Sequence, residues 1–185
     1  MKRKLHTSPA QGTFLIREDV PLKPGSEVHV AGVCVRNTDG GAWEVLIAKR
    51  TSRRQICPGL WECGGGRVNP NEGFEDAIKR KIFEEFGIDA EVIELLETYK
   101  IQVRGKPIIP GVRFLCVAGT ESIKLNRREF SRHQWVAFPV PNDLQYIDGV
   151  KKVLDHLAAE LVPTATKKGP KSVGLVAVPQ SETIQ

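Results

Sequence analysis

The chain has 185 residues, of which 41% are hydrophobic and 26% are charged, and its formal net charge is +5. These values are ordinary for a soluble globular protein, and they exclude a fibrous or largely disordered chain. The length fits one domain with short arms at both ends, because a domain most often has about 100 to 150 residues.

The positive charge is divided among four short basic groups, at residues 2–4, 49–54, 127–132 and 167–171. Aromatic residues make up 6% of the chain and are not interleaved with these groups, so a nucleic-acid groove built on base stacking is not expected. The four cysteines are not spaced as a zinc-binding pair, and the sequence shows neither a signal peptide nor an apolar run that spans a bilayer. We expect a soluble, cytoplasmic protein with reduced thiols.

The first predicted elements are an arm and a hairpin. Residues 1–25 form the arm, in which only 12–18 has the pattern of a strand. Two apolar segments rich in β-branched residues follow at 29–36 and 43–49, and they flank the turn-forming sequence 37–41. This arrangement predicts a β-hairpin.

The next segment combines a glycine-rich loop with a helix. Residues 51–68 contain a triple glycine at 64–66 and predict a loop with a short strand at 60–63. Asn71 is positioned to cap the following helix, and Gly87 is positioned to end it. Its apolar face is formed by Phe74, Ala77, Ile78, Ile82 and Phe86.

The rest of the chain predicts three strands, a helix and a tail. The strands are expected at 97–103, 111–118 and 134–138, and the helix at 147–161 has an apolar stripe at helical spacing. After Pro163 the composition changes to lysine, glycine, proline, serine and threonine, which predicts a tail with an edge strand at 173–178.

Three charged residues of the first helix lie where local stability would not place them. Lys81, Glu84 and Glu85 continue its apolar face, and the two glutamates precede the helix end, where the helix dipole disfavours carboxylates. A divalent cation would stabilise such a pair, although a solvated surface usually explains adjacent glutamates. The triple glycine upstream favours the cation, because glycine lets the backbone approach an ion or a phosphate.

Nine positions around this helix follow a known pattern with one exception. The pattern is G-x5-E-x7-R-E-U-x-E-E-x-G-U, where U is aliphatic, and eight positions match, at Gly66, Glu72, Arg80, Ile82, Glu84, Glu85, Gly87 and Ile88. The segment resembles the Nudix box, the signature of the Nudix hydrolase family. The preceding PGLWECGGG is similar to that family's PGLWEFPGG, and the resemblance covers roughly residues 28–161.

The resemblance implies both a fold and a reaction. The fold would be α/β, the Nudix α/β/α sandwich, with a mixed β-sheet between two helices in a domain at 26–161, followed by the tail at 162–185. The reaction would be hydrolysis of a nucleoside diphosphate linked to another group, in a substrate similar to a nucleoside triphosphate or a nucleotide sugar. Mg²⁺ or Mn²⁺ would neutralise phosphate oxygens and activate the attacking water.

The resemblance also implies metal-binding and catalytic residues. Glu84, Glu85 and the carbonyl of Gly66 are expected to hold the metal. Glu129, in the sequence EFSRHQW, lies where many members have a glutamate that acts as metal ligand or general base, and a plain surface glutamate is the alternative. The resemblance further implies that Arg80 and Glu84 are catalytic residues together with Glu129.

Other matching positions are structural or contact the substrate. Glu72 is expected to brace the loop against the helix together with Arg80, and Gly87 is structural. Arg50, at the end of the second predicted strand, lies where members of the family contact the substrate, although a solvated arginine is the alternative.

Lys81 is the exception, because the family has a glutamate there that usually binds metal or acts as base. The substitution changes the total charge of positions 81, 84 and 85 from −3 to −1, which should weaken divalent-ion binding. Lys81 is spaced to pair with Glu85 and is also a candidate for phosphate binding.

Two functions therefore remain open. One is a hydrolase that uses fewer metals, which the otherwise intact box favours, and the other is a catalytically impaired module that binds a nucleotide or regulates. An isomerase would need a catalytic cysteine and further metal ligands that we do not recognise in this sequence. The expected partners are a small nucleotide and a second copy of the chain in a homodimer, without nucleic acid or membrane.

Overall fold

A computed structural model describes residues 27–103, 105–118 and 122–162 of the chain. Its elements are β1 (His29–Asn37), β2 (Trp43–Arg50), β3 (Trp61–Glu62), β4 (Gly65–Arg67), α1 (Phe74–Phe86), β5 (Ala90–Ile101), β6 (Ile109–Ala118), β7 (Phe130–Ala137) and α2 (Val150–Leu161). The predicted arm, the tail beyond Val162 and their strand-like segments lie outside the described residues. Within the described ranges, no helix combines the length and the apolar character needed to cross a bilayer.

The strands form one mixed sheet, which confirms the predicted fold class. β1 is central: it runs parallel to β6 and pairs antiparallel with β4 at its start and with β2 at its end. β5 extends the sheet beyond β6, and β2 also pairs with β3 and β7. Because β3 pairs with β2 and β4 pairs with β1, the chain between them crosses from one strand to the other within two residues.

Alternating side chains of β1 face the two helices on opposite sides of the sheet. Val30 and Cys34 belong to one half of the core, and Val33 and Val35 belong to the other. The first half includes buried residues of α1 and the second includes buried residues of α2. Burial of this apolar surface on both faces holds the three layers together.

The predicted hairpin is confirmed. The backbone N–H of Thr38 donates to the carbonyl of Ala42 at 2.8 Å, and Gly41 has a φ of +76°. β1 and β2 pair only next to this turn, in a register that joins Val35 to Val45. They then separate, which leaves room for β3 and β4 between them.

The first helix begins later than predicted and ends as predicted. It starts at Phe74 with Gly73 as the N-cap residue, so the expectation that Asn71 caps it is wrong. Asn71 instead lies in the preceding turn with a φ of +64°. Gly87 ends the helix in the left-handed conformation, and its N–H donates to the Phe83 carbonyl at 2.8 Å.

The largest boundary error concerns β5, which begins at Ala90 instead of residue 97. Its first half lies at the edge of the sheet and is largely exposed. The sequence there therefore lacks the alternation of apolar and polar residues that a half-buried strand shows. β7 similarly begins four residues before the predicted strand, and α2 begins three residues after the predicted helix start.

Candidate active site

The triple glycine passes directly against the second half of α1. Gly64 has a φ of +94°, and a Cβ atom there would lie 2.6 Å from both Glu85 Oε2 and Phe86 Cε2. A Cβ atom at Gly66 would lie 2.4 Å from Lys81 Cε. Only glycine fits the approach at Gly64, whereas the flexible end of the Lys81 side chain can move away from a Cβ atom at Gly66. The loop therefore brings its backbone into contact with the charged residues of the helix.

Glu85 is almost completely buried, with 4% of its surface exposed. Its Oε2 accepts a hydrogen bond from the Gly65 backbone N–H at 2.9 Å. Burial is the main cause that raises the pKa of Glu85 well above its ordinary value, and the negative charges of Glu62 and Glu129 raise it further. A carboxylate in this position is stabilised by a nearby cation.

Glu84, the neighbouring glutamate, already has two cationic partners. Its Oε2 accepts a hydrogen bond from Lys81 Nζ at 2.8 Å, and its Oε1 accepts one from Arg80 Nη1 at 2.9 Å. These contacts, led by the Lys81 hydrogen bond, lower the pKa of Glu84. The pair that we expected between Lys81 and Glu85 is instead formed between Lys81 and Glu84.

Arg80 and Glu72 form a two-point ion pair beside the loop. The distances are 2.6 Å from Nε to Oε1 and 2.7 Å from Nη2 to Oε2, and Nη2 also donates to the Arg67 carbonyl at 3.1 Å. The hydrogen bonds from Arg80 are the main cause that lowers the pKa of Glu72 to about 2. Arg80 therefore links α1 to the turn before it and to the end of β4.

Glu62 is a candidate site residue that the sequence did not reveal. It lies in β3 opposite Ala48, and the two register partners share the face of the sheet that α1 covers. Arg50 Nη1 donates to Glu62 Oε1 at 2.5 Å, while Arg50 Nε donates to the Ile56 carbonyl at 3.0 Å. The sequence signal that could have revealed Glu62 is its position as an acidic residue between the apolar Trp61 and Cys63, directly before the glycines.

Glu129 lies in the loop that leads into β7. Its Oε2 forms an ion pair with Arg54 Nη1 at 3.3 Å, and its carbonyl accepts a hydrogen bond from the Thr51 N–H at 2.9 Å. Since the charges of Glu129 and Glu62 both act on Glu85, the three carboxylates occupy one region of the molecule.

The donor set in this region fits a hard divalent cation in its chemistry. Glu62, Glu85 and Glu129 offer carboxylate oxygens, which Mg²⁺ and Mn²⁺ prefer. In the described part of the chain, no three histidine, cysteine, aspartate or glutamate side chains converge closely enough to form a ready metal site. Glu62 and Glu129 are held by Arg50 and Arg54, so metal binding would require one of them to exchange its arginine.

The predicted site residues thus form two adjacent groups. The first group consists of the buried Glu85 and the partly exposed Glu129, Arg50 and Glu62. In the second group, a chain of ion pairs on the outer side of the loop joins Glu84, Arg80, Lys81 and Glu72. Gly66 lies beneath Lys81, between the groups. The first group could hold a cation, and the second fixes the loop and carries two positive charges that suit a phosphate.

Comparisons with known proteins identify the family of this chain. Residues 27–157 match the family model of the NUDIX domain. The nucleoside triphosphatase NudI of Escherichia coli O17:K52:H18 is 32% identical over 126 residues, an alignment that covers 63% of this chain and 85% of the relative.

Solved structures share the fold at lower identity. The MutT NUDIX hydrolase of Burkholderia pseudomallei is 24% identical with a TM-score of 0.59, over 70% of this chain and 96% of that one. An Ap4A hydrolase of C. elegans is 20% identical with a TM-score of 0.57, over 72% of this chain and 96% of that one.

Proposed function

Because this chain belongs to the Nudix family of hydrolases, we propose that it cleaves the diphosphate bond of a nucleoside diphosphate linked to another group, with nucleoside triphosphates as the first substrates to test. Support for this substrate class comes from the relative whose printed name is nucleoside triphosphatase. Nucleotide sugars remain a second class with the same reactive bond. The cellular location that we propose is the cytoplasm.

The observation that carries the proposal is the buried Glu85 carboxylate at the glycine loop. It accepts one backbone hydrogen bond and forms no ion pair with any described residue, and the charges of two further carboxylates and of Lys81 act on it. Members of the family generally use divalent metal ions, and Mg²⁺ or Mn²⁺ bound by Glu85, with the Gly66 carbonyl, would supply Lewis acidity to the phosphates. Glu129 is the proposed residue that orients or deprotonates the attacking water, and Glu84 is a further proposed ligand if it leaves its cations.

The cations around this region are proposed to position the substrate. Arg50 is paired with the partly exposed Glu62, so its guanidinium can contact a phosphate once Glu62 turns to the metal. Lys81 places a permanent positive charge next to the glycine loop, at the position where the family pattern has a glutamate. Arg80 fixes the loop by its ion pair with Glu72, and Gly87 ends the helix as its C-cap residue.

A second candidate function is a catalytically impaired nucleotide-binding or regulatory module. The observation in its favour is the pairing of Glu84 with both Lys81 and Arg80, which neutralises one of the two glutamates that the box retains for a metal. Binding of a nucleotide diphosphate would still be supported by Lys81 and Arg50.

The test is a substrate panel with Mg²⁺ or Mn²⁺, containing nucleoside triphosphates, ADP-ribose, NAD and nucleotide sugars, with released phosphate or pyrophosphate as the readout. Glu85→Gln is the test variant, and Glu75→Gln, an exposed glutamate in the first turn of the same helix, is the matched control. We expect metal-dependent turnover that falls at least about a hundredfold in Glu85→Gln and is unchanged in Glu75→Gln. Tight nucleotide binding without turnover under any metal would reject the hydrolase and favour the binding module.

A further inference from the structure

The segment before β7 is attached to the end of α1. We call residues 122–129, which lead into β7, the β7 loop. The backbone N–H of Asn126 donates to the Glu85 carbonyl at 2.8 Å, and the N–H of Lys124 donates to the Phe86 carbonyl at 2.7 Å. Both carbonyls belong to the last turn of the helix, where no later helical N–H is available to them. The β7 loop therefore completes the hydrogen bonding of the helix end, at the proposed metal ligand.

Close packing reinforces this attachment. A Cβ atom at Gly87, the C-cap residue of α1, would lie 2.6 Å from Lys124 Cβ and 3.4 Å from the Lys124 carbonyl oxygen. Phe130, the first residue of β7, stacks on Phe86 with a distance of 5.6 Å between the ring centres, and both residues are buried. The β7 loop is thus held against the helix end by packing as well as by its backbone hydrogen bonds.

Asn126 forms the turn that carries Glu129. Its carbonyl accepts hydrogen bonds from the backbone N–H groups of Glu129 at 3.1 Å and of Phe130 at 3.0 Å. Its side-chain Oδ1 accepts a hydrogen bond from the Arg128 N–H at 3.1 Å, the contact by which an asparagine stabilises a turn two residues further along the chain. Asn126 thus accepts from three successive backbone N–H groups and donates its own N–H to the Glu85 carbonyl. The main chains of two proposed site residues are thereby connected through Asn126.

The same turn is also bound to the chain that follows β2. The Thr51 N–H donates to the Glu129 carbonyl at 2.9 Å, so the main chain of Glu129 is hydrogen-bonded at both its N–H and its carbonyl. The Glu129 side chain is partly exposed, and within the described ranges it forms one ion pair, with Arg54 at 3.3 Å. Since mainly the side-chain torsions of Glu129 remain free, the turn determines where its carboxylate can reach.

We propose that Asn126 is a positioning residue for the hydrolysis, because it sets the position of Glu129 relative to Glu85 so that the Glu129 carboxylate can act on the attacking water. This role rests on the proposed function, in which Glu85 binds the metal and Glu129 orients or deprotonates the water. Asn126 needs no contact with the substrate for it. A general base contributes about 10²- to 10⁴-fold to the rate when it lies within hydrogen-bond reach of its proton. Because a misplacement of about 1 Å can remove a factor of about 100, a small shift of the turn is expected to slow the chemical step and to leave substrate binding intact.

The experiment measures kcat and KM with saturating Mn²⁺ and full-length protein, for the nucleoside triphosphate of the substrate panel that is hydrolysed fastest. Asn126→Ala should lower kcat about tenfold and leave KM within about twofold of wild type, because it weakens an interaction that matters in the transition state. Asn126→Asp keeps an acceptor oxygen for the Arg128 N–H and should hold kcat within about threefold of wild type. The matched control is Thr38→Ala, which removes the acceptor of the Ala42 N–H in the β1–β2 turn and should leave both constants unchanged.

A double-mutant cycle with Glu129→Gln separates positioning from a general loss of stability. When Glu129 is already glutamine, Asn126→Ala should change kcat by less than about twofold, because Asn126 then has no base to position. Losses that simply multiply in the double variant, an unchanged kcat in Asn126→Ala, or an equal loss in Asn126→Asp would each overturn the proposal. A loss of kcat in Thr38→Ala as large as in Asn126→Ala would also overturn it.

Amide hydrogen exchange provides a readout that does not require turnover. In Asn126→Ala the amides of Glu129 and Phe130 should exchange at least about tenfold faster, because the turn opens more often. Thr38→Ala should leave these amides unchanged, and unchanged exchange in Asn126→Ala as well would overturn the proposal. If turnover is lost in Glu85→Gln but kept in Glu129→Gln, the role of Asn126 is rejected and the proposed hydrolase stands. A wild type without turnover on any nucleotide of the panel would reject the hydrolase and this role together.

Discussion

Lys81 Nζ lies 2.8 Å from Glu84 Oε2, and the side chain of Lys81 covers Gly66, so one residue occupies the position between the outer ion pairs and the glycine loop. In the family pattern this position carries a glutamate. The substitution therefore places a fixed positive charge where a metal-binding carboxylate is otherwise found. Its effect on function depends on whether that charge repels the metal or assists the substrate.

Lys81→Glu should raise the affinity for Mn²⁺ by at least about tenfold, because it restores a charge of −3 at positions 81, 84 and 85 and frees Glu84 from its lysine partner. Turnover should rise with it. Titration of Mn²⁺ by electron paramagnetic resonance measures the affinity, and the nucleotide assay measures turnover. Lys79→Glu, at an exposed position of the same helix, controls for a general change in charge. No gain in either quantity would contradict our account of Lys81.

Glu72→Gln should reduce stability by about 1 kcal/mol at pH 7, since it weakens the ion pair with Arg80 at a partly exposed site. The pKa of Glu72 is about 2 in the folded protein and 4.5 ordinarily. A lowered folded-state pKa means that this contribution is complete above about pH 4.5 and is lost as the pH falls toward 2. Urea unfolding of wild type and variant at pH 7, 4 and 3 should show converging stabilities. An equal difference at all three values would exclude the ion pair as the cause.

Much of the fold was predictable because strong local patterns specify it. The hairpin has turn residues between two apolar segments, and Gly87 has the position and the left-handed φ of a helix end. The start of β5 was not predictable, since an exposed edge strand has no buried face to leave a pattern in the sequence. Asn71 was a plausible cap by residue type, but the turn around Glu72 gave it another conformation.

The candidate site was predictable only in part, for a related reason. A pattern within one helix identifies Glu84, Glu85 and Arg80, because their spacing in the sequence determines their positions in space. Glu62 was missed because its proximity to Glu85 arises from the pairing of β3 with β2, which no local pattern encodes. The basic groups at residues 49–54 and 127–132 lie side by side for the same reason, because β2 pairs with β7.

Glu62→Gln should weaken Mn²⁺ binding by about tenfold, because it removes one of the two carboxylates whose charges act on Glu85. It should also speed hydrogen exchange around Ile56, whose carbonyl is held by the same Arg50 that pairs with Glu62. Glu44→Gln is the matched control, since Glu44 forms a similar ion pair with Arg36 at the other end of β2. An equal loss of Mn²⁺ affinity in both variants would show that Glu62 has no special relation to the metal.

Gly64→Ala should destabilise the protein more than Gly41→Ala, although both glycines have a positive φ. The Gly41 site has no atom within 4 Å of an added Cβ, so that substitution measures backbone strain alone, about 1 kcal/mol. At Gly64 the methyl group would lie 2.6 Å from Glu85 Oε2 and Phe86 Cε2, which adds a steric cost of about 1 to 3 kcal/mol. Thermal unfolding measures the difference, and Mn²⁺ titration of Gly64→Ala should show weaker binding because Glu85 must move. Equal melting temperatures for the two variants would mean that the loop does not pack against α1 as closely as described.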